Sequence, residues 1–135
     1  MDNLAKLLLF GLSILPHACA ASAPPGGEID FNAVERQAFF YSDDQMQQKA
    51  QSYLNAQFPS GFPINSAMAA LAKAGAKCTY KTDPQDPTFY FCDYSRPGHG
   101  LAYFYEQIDW LIAIYFDKTG RLVKSIAVSR GATSF

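Results

Sequence analysis

The sequence predicts an α+β domain, in which two or three N-terminal helices pack on one face of a roughly four-stranded antiparallel sheet. Apolar residues recur at helical spacing between residues 42 and 75, and strand-forming residues dominate from Lys77 onward. Two cysteines, Cys78 and Cys92, lie symmetrically about a segment of turn-forming residues. Helices that precede a block of hairpin-connected strands are typical of this architecture.

The first twenty residues predict a secretory signal peptide. Lys6 precedes the apolar run from Leu7 to Leu15, Pro16 ends that run, and Ala18-Cys19-Ala20 follows as a small-x-small cleavage site. A run of nine residues spans only ~14 Å as a helix, whereas a membrane core is ~30 Å thick. We expect cleavage after Ala20, a periplasmic or secreted product, and no transmembrane helix in the mature chain.

Cys19 offers an alternative, which is a lipid anchor. A bacterial lipobox places leucine three residues before the modified cysteine, but Pro16 occupies that position and Leu15 lies one residue too far back. The pattern therefore favours cleavage over lipidation. If Cys19 is lipidated, the protein is a membrane-anchored lipoprotein.

Composition restricts the remaining chain to a single globular domain with few charges. The 135 residues are 49% apolar and 17% charged, and the net charge is −1 with no basic block. Nucleic acid is therefore not an expected partner. We expect a leader over residues 21–41, with a short helix from Ala33 to Phe40 capped at Asn32, and a domain over residues 42–135.

Two longer helices are predicted before the strands. Ser42 and the acidic residues after it begin the first, which runs to about Gln57. Its apolar stripe is Met46, Ala50, Tyr53, Leu54 and Phe58, and its wet face is formed by the glutamines at 45, 47, 48 and 51. The second helix is capped by Asn65 or Ser66 and ends at Gly75.

The segment from Ala76 to Asp93 predicts a hairpin closed by a disulfide. The turn formers at residues 83–87 lie at its centre. Cleavage would remove Cys19 and leave an even number of cysteines in an exported chain, which implies a disulfide. The expected cross-strand pairs are Cys78 with Cys92, Tyr80 with Tyr90, Thr82 with Thr88 and Lys77 with Asp93.

The remaining strands follow from aromatic and apolar runs. Leu101–Gln107 is aromatic and strand-like, and Asp109–Phe116 is a strand with almost no polar residue. A tight turn at residues 117–120 leads to the last strand, Arg121–Ser129. We expect the tail from Arg130 to Phe135 to be loose.

The layout resembles a known group of small bacterial envelope proteins. The relevant pieces are Phe58-Pro59-x-Gly61, Ala67-x-x-x-Leu71-x-x-x-Gly75 and Phe116-Asp117-x-x-Gly120-x-Leu122. They resemble the SmpA/OmlA lipoprotein and β-lactamase-inhibitor-protein-like superfamily over roughly residues 44–128. The resemblance implies a helix pair on an antiparallel sheet and a non-catalytic, protein-binding role in the envelope.

No set of residues in the sequence predicts catalysis, a metal or a cofactor. The predicted mature chain has one histidine, His99, and no Gly-x-Ser-x-Gly motif. One histidine and two paired cysteines are too few for a zinc site. Glu106 and Asp109 lie three apart in a predicted strand, hence on opposite faces, which does not suit a glycosidase pair. The protein is therefore predicted not to be an enzyme.

The aromatic residues, 15% of the chain, are the remaining functional signal. Tyrosine and tryptophan tolerate half-wet sites and often anchor interfaces. We expect a binding face formed by Tyr90, Tyr94, Tyr103, Tyr105 and Trp110, with core packing of these rings as the alternative.

Together these observations predict an exported, non-enzymatic domain that binds another protein of the bacterial envelope. Inhibitor, immunity protein and assembly accessory all fit this prediction. The alternatives are a structural or lipid-anchored envelope component and a small enzyme. A deep pocket that holds His99 or a strongly perturbed carboxylate would favour the enzyme.

Overall fold

The computed structural model describes residues 25–81 and 89–135 and has the predicted α+β architecture. Its helices are α1 (Phe31–Glu35), α2 (Asp43–Gln57) and α3 (Ile64–Lys73), with a first 3₁₀ segment (Ala38–Phe40) before α2. Its strands are β1 (Lys77–Lys81), β2 (Phe89–Pro97), β3 (Glu106–Phe116) and β4 (Val123–Ser134), with a second 3₁₀ segment (Gly100–Phe104) before β3. The strands form one antiparallel sheet in the order β1-β2-β3-β4. No helix in the described residues is long and apolar enough to cross a membrane.

Helix α2 begins and ends close to where the sequence predicts. Ser42 caps it, since the backbone N–H of Gln45 donates to Ser42 Oγ (3.3 Å) and the N–H of Ser42 donates to Gln45 Oε1 (2.9 Å). The predicted apolar stripe is confirmed, because Met46, Ala50 and Leu54 are at most 1% exposed. These side chains pack on the sheet as the main helical contribution to the core.

The hairpin of β1 and β2 has the predicted register, and the disulfide is confirmed. Cys78 lies opposite Cys92 and is bonded to it, and Tyr80 lies opposite Tyr90. The predicted turn at residues 83–87 and the pair Thr82–Thr88 lie outside the described residues. The predicted signal peptide and Cys19 also lie outside them.

The helices cover the sheet face that carries Cys92. On β3 the inward side chains are Ile108, Trp110, Ile112 and Ile114, and each is at most 1% exposed. The opposite face carries Phe89, Phe91, Leu111 and Tyr115, and no described helix covers it. Strand alternation therefore divides the aromatic residues between a core face and an open face.

Two glutamines attach α2 to the outer edge of β4. Gln51 Nε2 donates to the carbonyl of Ile126 (2.7 Å), and the N–H of Val128 donates to Gln51 Oε1 (2.8 Å). Gln47 repeats the pattern with the carbonyl of Val128 and the N–H of Arg130. The prediction that both glutamines lie on a wet face is therefore wrong. Residues four apart share one side of a helix, and here that side faces the strand edge.

Two predicted helix starts differ from the structure. Helix α1 begins at Phe31 because Asp30, not Asn32, is its cap: the N–H of Ala33 donates to Asp30 Oδ1 (3.2 Å). Helix α3 begins at Ile64, after Pro63, rather than at Asn65 or Ser66. Its predicted end is confirmed, since Gly75 follows the last turn with φ of 105°.

Two predictions about the strands are also wrong. Residues 101–105 do not form a strand, because the chain turns through the second 3₁₀ segment and β3 begins only at Glu106. The tail is not loose up to Phe135, because β4 extends to Ser134, which pairs with Glu106. The longer β3 and β4 provide the partners that residues 130–134 need for backbone hydrogen bonds.

Candidate functional site

A buried ion pair lies at one end of the core, between α1 and β4. Glu35 is 1% exposed and Arg130 is 8% exposed. Arg130 Nε donates to Glu35 Oε1 and Arg130 Nη2 donates to Glu35 Oε2, each at 2.7 Å. Trp110 Nε1 donates to Glu35 Oε1, also at 2.7 Å. A bidentate guanidinium–carboxylate pair of this kind holds both side chains in a single orientation.

The sheet register brings Trp110 and Arg130 to the same carboxylate. They lie opposite each other on β3 and β4, and Arg130 continues the inward alternation of Ile126 and Val128. Glu35 ends α1, which packs against α2 across this end of the sheet. Arg130 thus occupies a position that strand periodicity would assign to an apolar side chain.

Both members of the pair carry charge at neutral pH. Burial is the largest influence on Glu35 and raises its pKa, but hydrogen bonds from Arg130 and Trp110 and the charge of Arg130 bring the pKa below the usual range. The pKa of Arg130 is raised, mainly by its hydrogen bonds to Glu35. The pair is therefore neutral as a unit.

His99 lies beside this pair, in the loop before the second 3₁₀ segment. Its Nε2 is 3.7 Å from Glu35 Oε2, and its Nδ1 is 3.3 Å from Arg96 Nη2. Arginine can only donate, so Nδ1 is the acceptor in the contact with Arg96. Both ring nitrogens of His99 thus face charged side chains, and His99 and Glu35 line the same pocket.

A pocket of ≈ 620 Å³ opens above the ion pair. The two 3₁₀ segments form its sides through Ala38, Phe39 and Ala102, and Glu35 and Arg130 lie at its base. Its remaining lining comprises Arg36, Asp43, His99, Glu106, Ile108, Ala132 and Ser134. Sites of this volume are of the size that holds small molecules or single side chains.

The two 3₁₀ segments that form the sides of this pocket, and the residues next to them, carry exposed aromatic and apolar side chains, of which Phe39 lines the pocket itself. Phe39 and Phe40 are 91% and 76% exposed, and Leu101, Phe104 and Phe135 are each at least 81% exposed. The N–H of Phe135 donates to the carbonyl of Tyr105 (2.8 Å), which brings the last residue beside the second 3₁₀ segment. We refer to this set as the aromatic rim, and its members are Phe39, Phe40, Leu101, Tyr103, Phe104, Tyr105 and Phe135.

Gly98 lets the second 3₁₀ segment fold tightly against β3. A Cβ at this position would lie 2.8 Å from the carbonyl oxygen of Ala102 and 2.9 Å from Cβ of Glu106. The N–H of Gly98 donates to the carbonyl of Glu106 (2.8 Å), which closes the loop. The position of the rim thus depends on a residue without a side chain.

Only two of the five predicted binding-face residues lie in the rim, namely Tyr103 and Tyr105. Tyr94 stacks on Phe31 with ring centroids 4.0 Å apart, and Trp110 is 0% exposed. Tyr90 packs against the core as well. The structure contradicts the predicted binding face at Trp110, which is buried, whereas Tyr90 and Tyr94 are partly buried and pack against the core, as in the alternative stated above.

Sequence reasoning missed the ion pair itself. The predicted helix from Ala33 to Phe40 contains Glu35 without assigning it a role, and Arg130 falls in the tail predicted to be loose. A signal for Arg130 does exist, since it lies two residues after Val128 and four after Ile126 in an inward-facing series. No such local pattern marks Glu35.

Comparisons with known proteins identify no relative. No family model matches the chain, and no curated protein or solved structure matches it. The resemblance to the SmpA/OmlA and β-lactamase-inhibitor-protein-like superfamily therefore stays a prediction. Within the described residues no group of three or more His, Cys, Asp or Glu side chains could hold a metal ion.

Proposed function

We propose that the protein is an exported domain that binds a protein partner through the aromatic rim. The carrying observation is the size of this exposed surface. With ~200 Å² for each aromatic side chain, the rim offers about 1,000 Å² to solvent. Summed over the seven side chains, this area is comparable to the about 800 Å² that each partner contributes to a standard interface.

The position of the rim supports a protein partner over a bilayer. The N–H of Gly26 donates to the carbonyl of Gln57 (2.9 Å), so the chain enters the domain at the C-terminal end of α2. Phe39 and Phe40 lie just before the N-terminal end of the same helix, ~22 Å away. Asp43 and Glu106 border the pocket as well, and carboxylates are repelled by anionic lipid surfaces.

The disulfide supports export. Cys78 and Cys92 are bonded, and such bonds persist mainly in oxidising compartments outside the cytosol. This agrees with the signal peptide predicted over residues 1–20. An inhibitor, an immunity protein and an assembly accessory would each need an exposed surface for a partner, so all three roles remain within the proposal.

Capture from the envelope of the source organism tests the proposal. The mature, oxidised protein is used as bait beside the double variant Leu101→Ser/Phe104→Ser, whose two side chains are each 81% exposed. Loss of two interface anchors at ~2 kcal/mol each should weaken a specific partner about a thousand-fold. The matched control is Leu111→Ser, which changes a 41% exposed leucine on the open sheet face. If both variants retain the same proteins as the wild type, the rim is not the interface.

A further inference from the structure

We propose that the pocket inside the aromatic rim receives a primary carboxamide, which is the side chain of an asparagine or glutamine of the partner. This inference rests on the proposed interface and assigns the chemistry at its centre. The carrying observation is Arg130 Nη1, which is buried and has no hydrogen-bond acceptor among the described residues.

The orphaned donor lies on the side of Arg130 that Glu35 does not use. Glu35 accepts hydrogen bonds from Nε and Nη2, so Nη1 is the guanidinium nitrogen that Glu35 leaves without an acceptor. Asp43 Oδ1 is 3.7 Å from Nη1, which is beyond hydrogen-bond distance, and Asp43 lines the pocket beside Arg130. The Asp43 side chain is 86% exposed, so packing does not hold it over the donor. Burying a charged donor without an acceptor is costly, and a ligand oxygen would remove that cost.

The charges of the pocket favour a neutral ligand. Glu35 and Arg130 compensate each other, and Arg36 Nη2 lies 3.9 Å from the carboxylate of Asp30. The carboxylates of Asp43 and Glu106 also line the pocket, so an incoming anion would be repelled. A cation would instead be repelled by the guanidinium of Arg130, whose Nη1 has no acceptor among the described residues.

A carboxamide can pair with the donor of Arg130 and with the carboxylate acceptors at the same time. Its oxygen accepts from Arg130 Nη1, and its two N–H groups donate to the carboxylates of Asp43 and Glu106. The aliphatic stem of glutamine or asparagine then lies along the apolar wall formed by Ala102 and Ala132. A partner residue seated in this way would lie at the centre of the rim, where anchors contribute most.

Three probes of equal length and different charge test this proposal by NMR. Butyramide, butyrate and butylammonium are titrated into the ¹⁵N-labelled, oxidised mature protein. The signals to follow are those of the Arg130 Nε–H and the Trp110 indole N–H, because both groups donate hydrogen bonds to Glu35 at the base of the pocket. We expect butyramide to shift these signals with millimolar affinity and each ion to bind at least tenfold more weakly. Tighter binding of either ion, or no binding of butyramide, overturns the proposal.

Two further measurements locate the ligand and define its amide. Ala132→Leu fills the pocket and should abolish butyramide binding, whereas Ala127→Leu, on the open face of the same strand, should leave it unchanged. N-methylbutyramide resembles a backbone peptide group, and binding as tight as that of butyramide would overturn the assignment to a side-chain carboxamide. Butyramide binding that persists in Leu101→Ser/Phe104→Ser separates the pocket from the rim, so either proposal can fail without the other.

Discussion

Replacement of Arg130 by methionine should destabilise the protein strongly and reverse the way its stability depends on pH. The change removes both donors that Arg130 gives to Glu35 and leaves Trp110 Nε1 as the one strong donor to a carboxylate that is 1% exposed. Breaking one side of a buried ion pair typically costs about 3–5 kcal/mol. For a domain of this size that lowers the melting temperature by about 12–20 °C.

The pH dependence follows from the pKa of Glu35. In the wild type this pKa is lowered, so the carboxylate contributes stability above its unfolded pKa of ~4.3, and the contribution is lost as pH falls through the folded pKa. In Arg130→Met the hydrogen bonds and the charge of Arg130 are gone and burial remains, which raises the pKa. In this variant the protonated Glu35 side chain contributes stability at low pH, and that contribution is lost as pH rises through the raised pKa of Glu35.

Urea unfolding followed by circular dichroism at pH 4 and pH 7 measures both effects. We expect Arg130→Met to be closer to the wild type at pH 4 than at pH 7. The double variant Glu35→Gln/Arg130→Met should recover part of the loss at pH 7, because it no longer buries a lone charge. An equal loss at both pH values in the single variant would refute the assignment of Glu35 as a buried, charged partner of Arg130.

Three further predictions concern the disulfide, the loop at Gly98 and the N-terminus. Cys78→Ser should lower the free energy of unfolding by about 3 kcal/mol in urea titrations, and an unchanged value would show that the disulfide does not stabilise the fold. Gly98→Ala should cost about 1–3 kcal/mol and shift the NMR signals of residues 100–105, since its Cβ would meet Ala102, whereas Gly131→Ala, with no atom near its Cβ, serves as the control. Mass spectrometry of the exported protein should find Ala21 at the N-terminus and a mass two hydrogens below the reduced form; a lipid mass on Cys19 would instead support the anchored alternative.

Features set by short stretches of sequence could be predicted, and features set by distant pairs could not. The Ser42 cap depends on residues of one helix and the register of Cys78 with Cys92 on residues of one hairpin, and both are confirmed. Residues 101–105 alternate apolar and aromatic groups that suit a strand, but the contact of Gly98 with Glu106 turns them into a 3₁₀ segment. Glu35 and Arg130 are 95 positions apart, and a single sequence contains no signal that pairs them.

The aromatic rim could not be predicted from the sequence either, because it combines segments that are far apart in the chain. Phe39 and Phe104 belong to segments whose proximity depends on how α1 and β3 are placed by the core. Aromatic content alone indicated a binding face, but strand alternation directed Trp110 and Tyr94 inward instead. Exposure is a property of the packed structure, so it could be assigned only after the helix-covered face was known.

The contacts of Gln47 and Gln51 with β4 couple the opening of a helix to that of a strand. The amide protons of Val128 and Arg130 are held by side chains of α2, so these protons exchange with solvent when the helix detaches. We therefore expect α2 and the outer edge of β4 to open as one cooperative unit. The same event would release backbone groups that can pair with a strand of another molecule, so the two glutamines also govern how readily partly opened molecules associate.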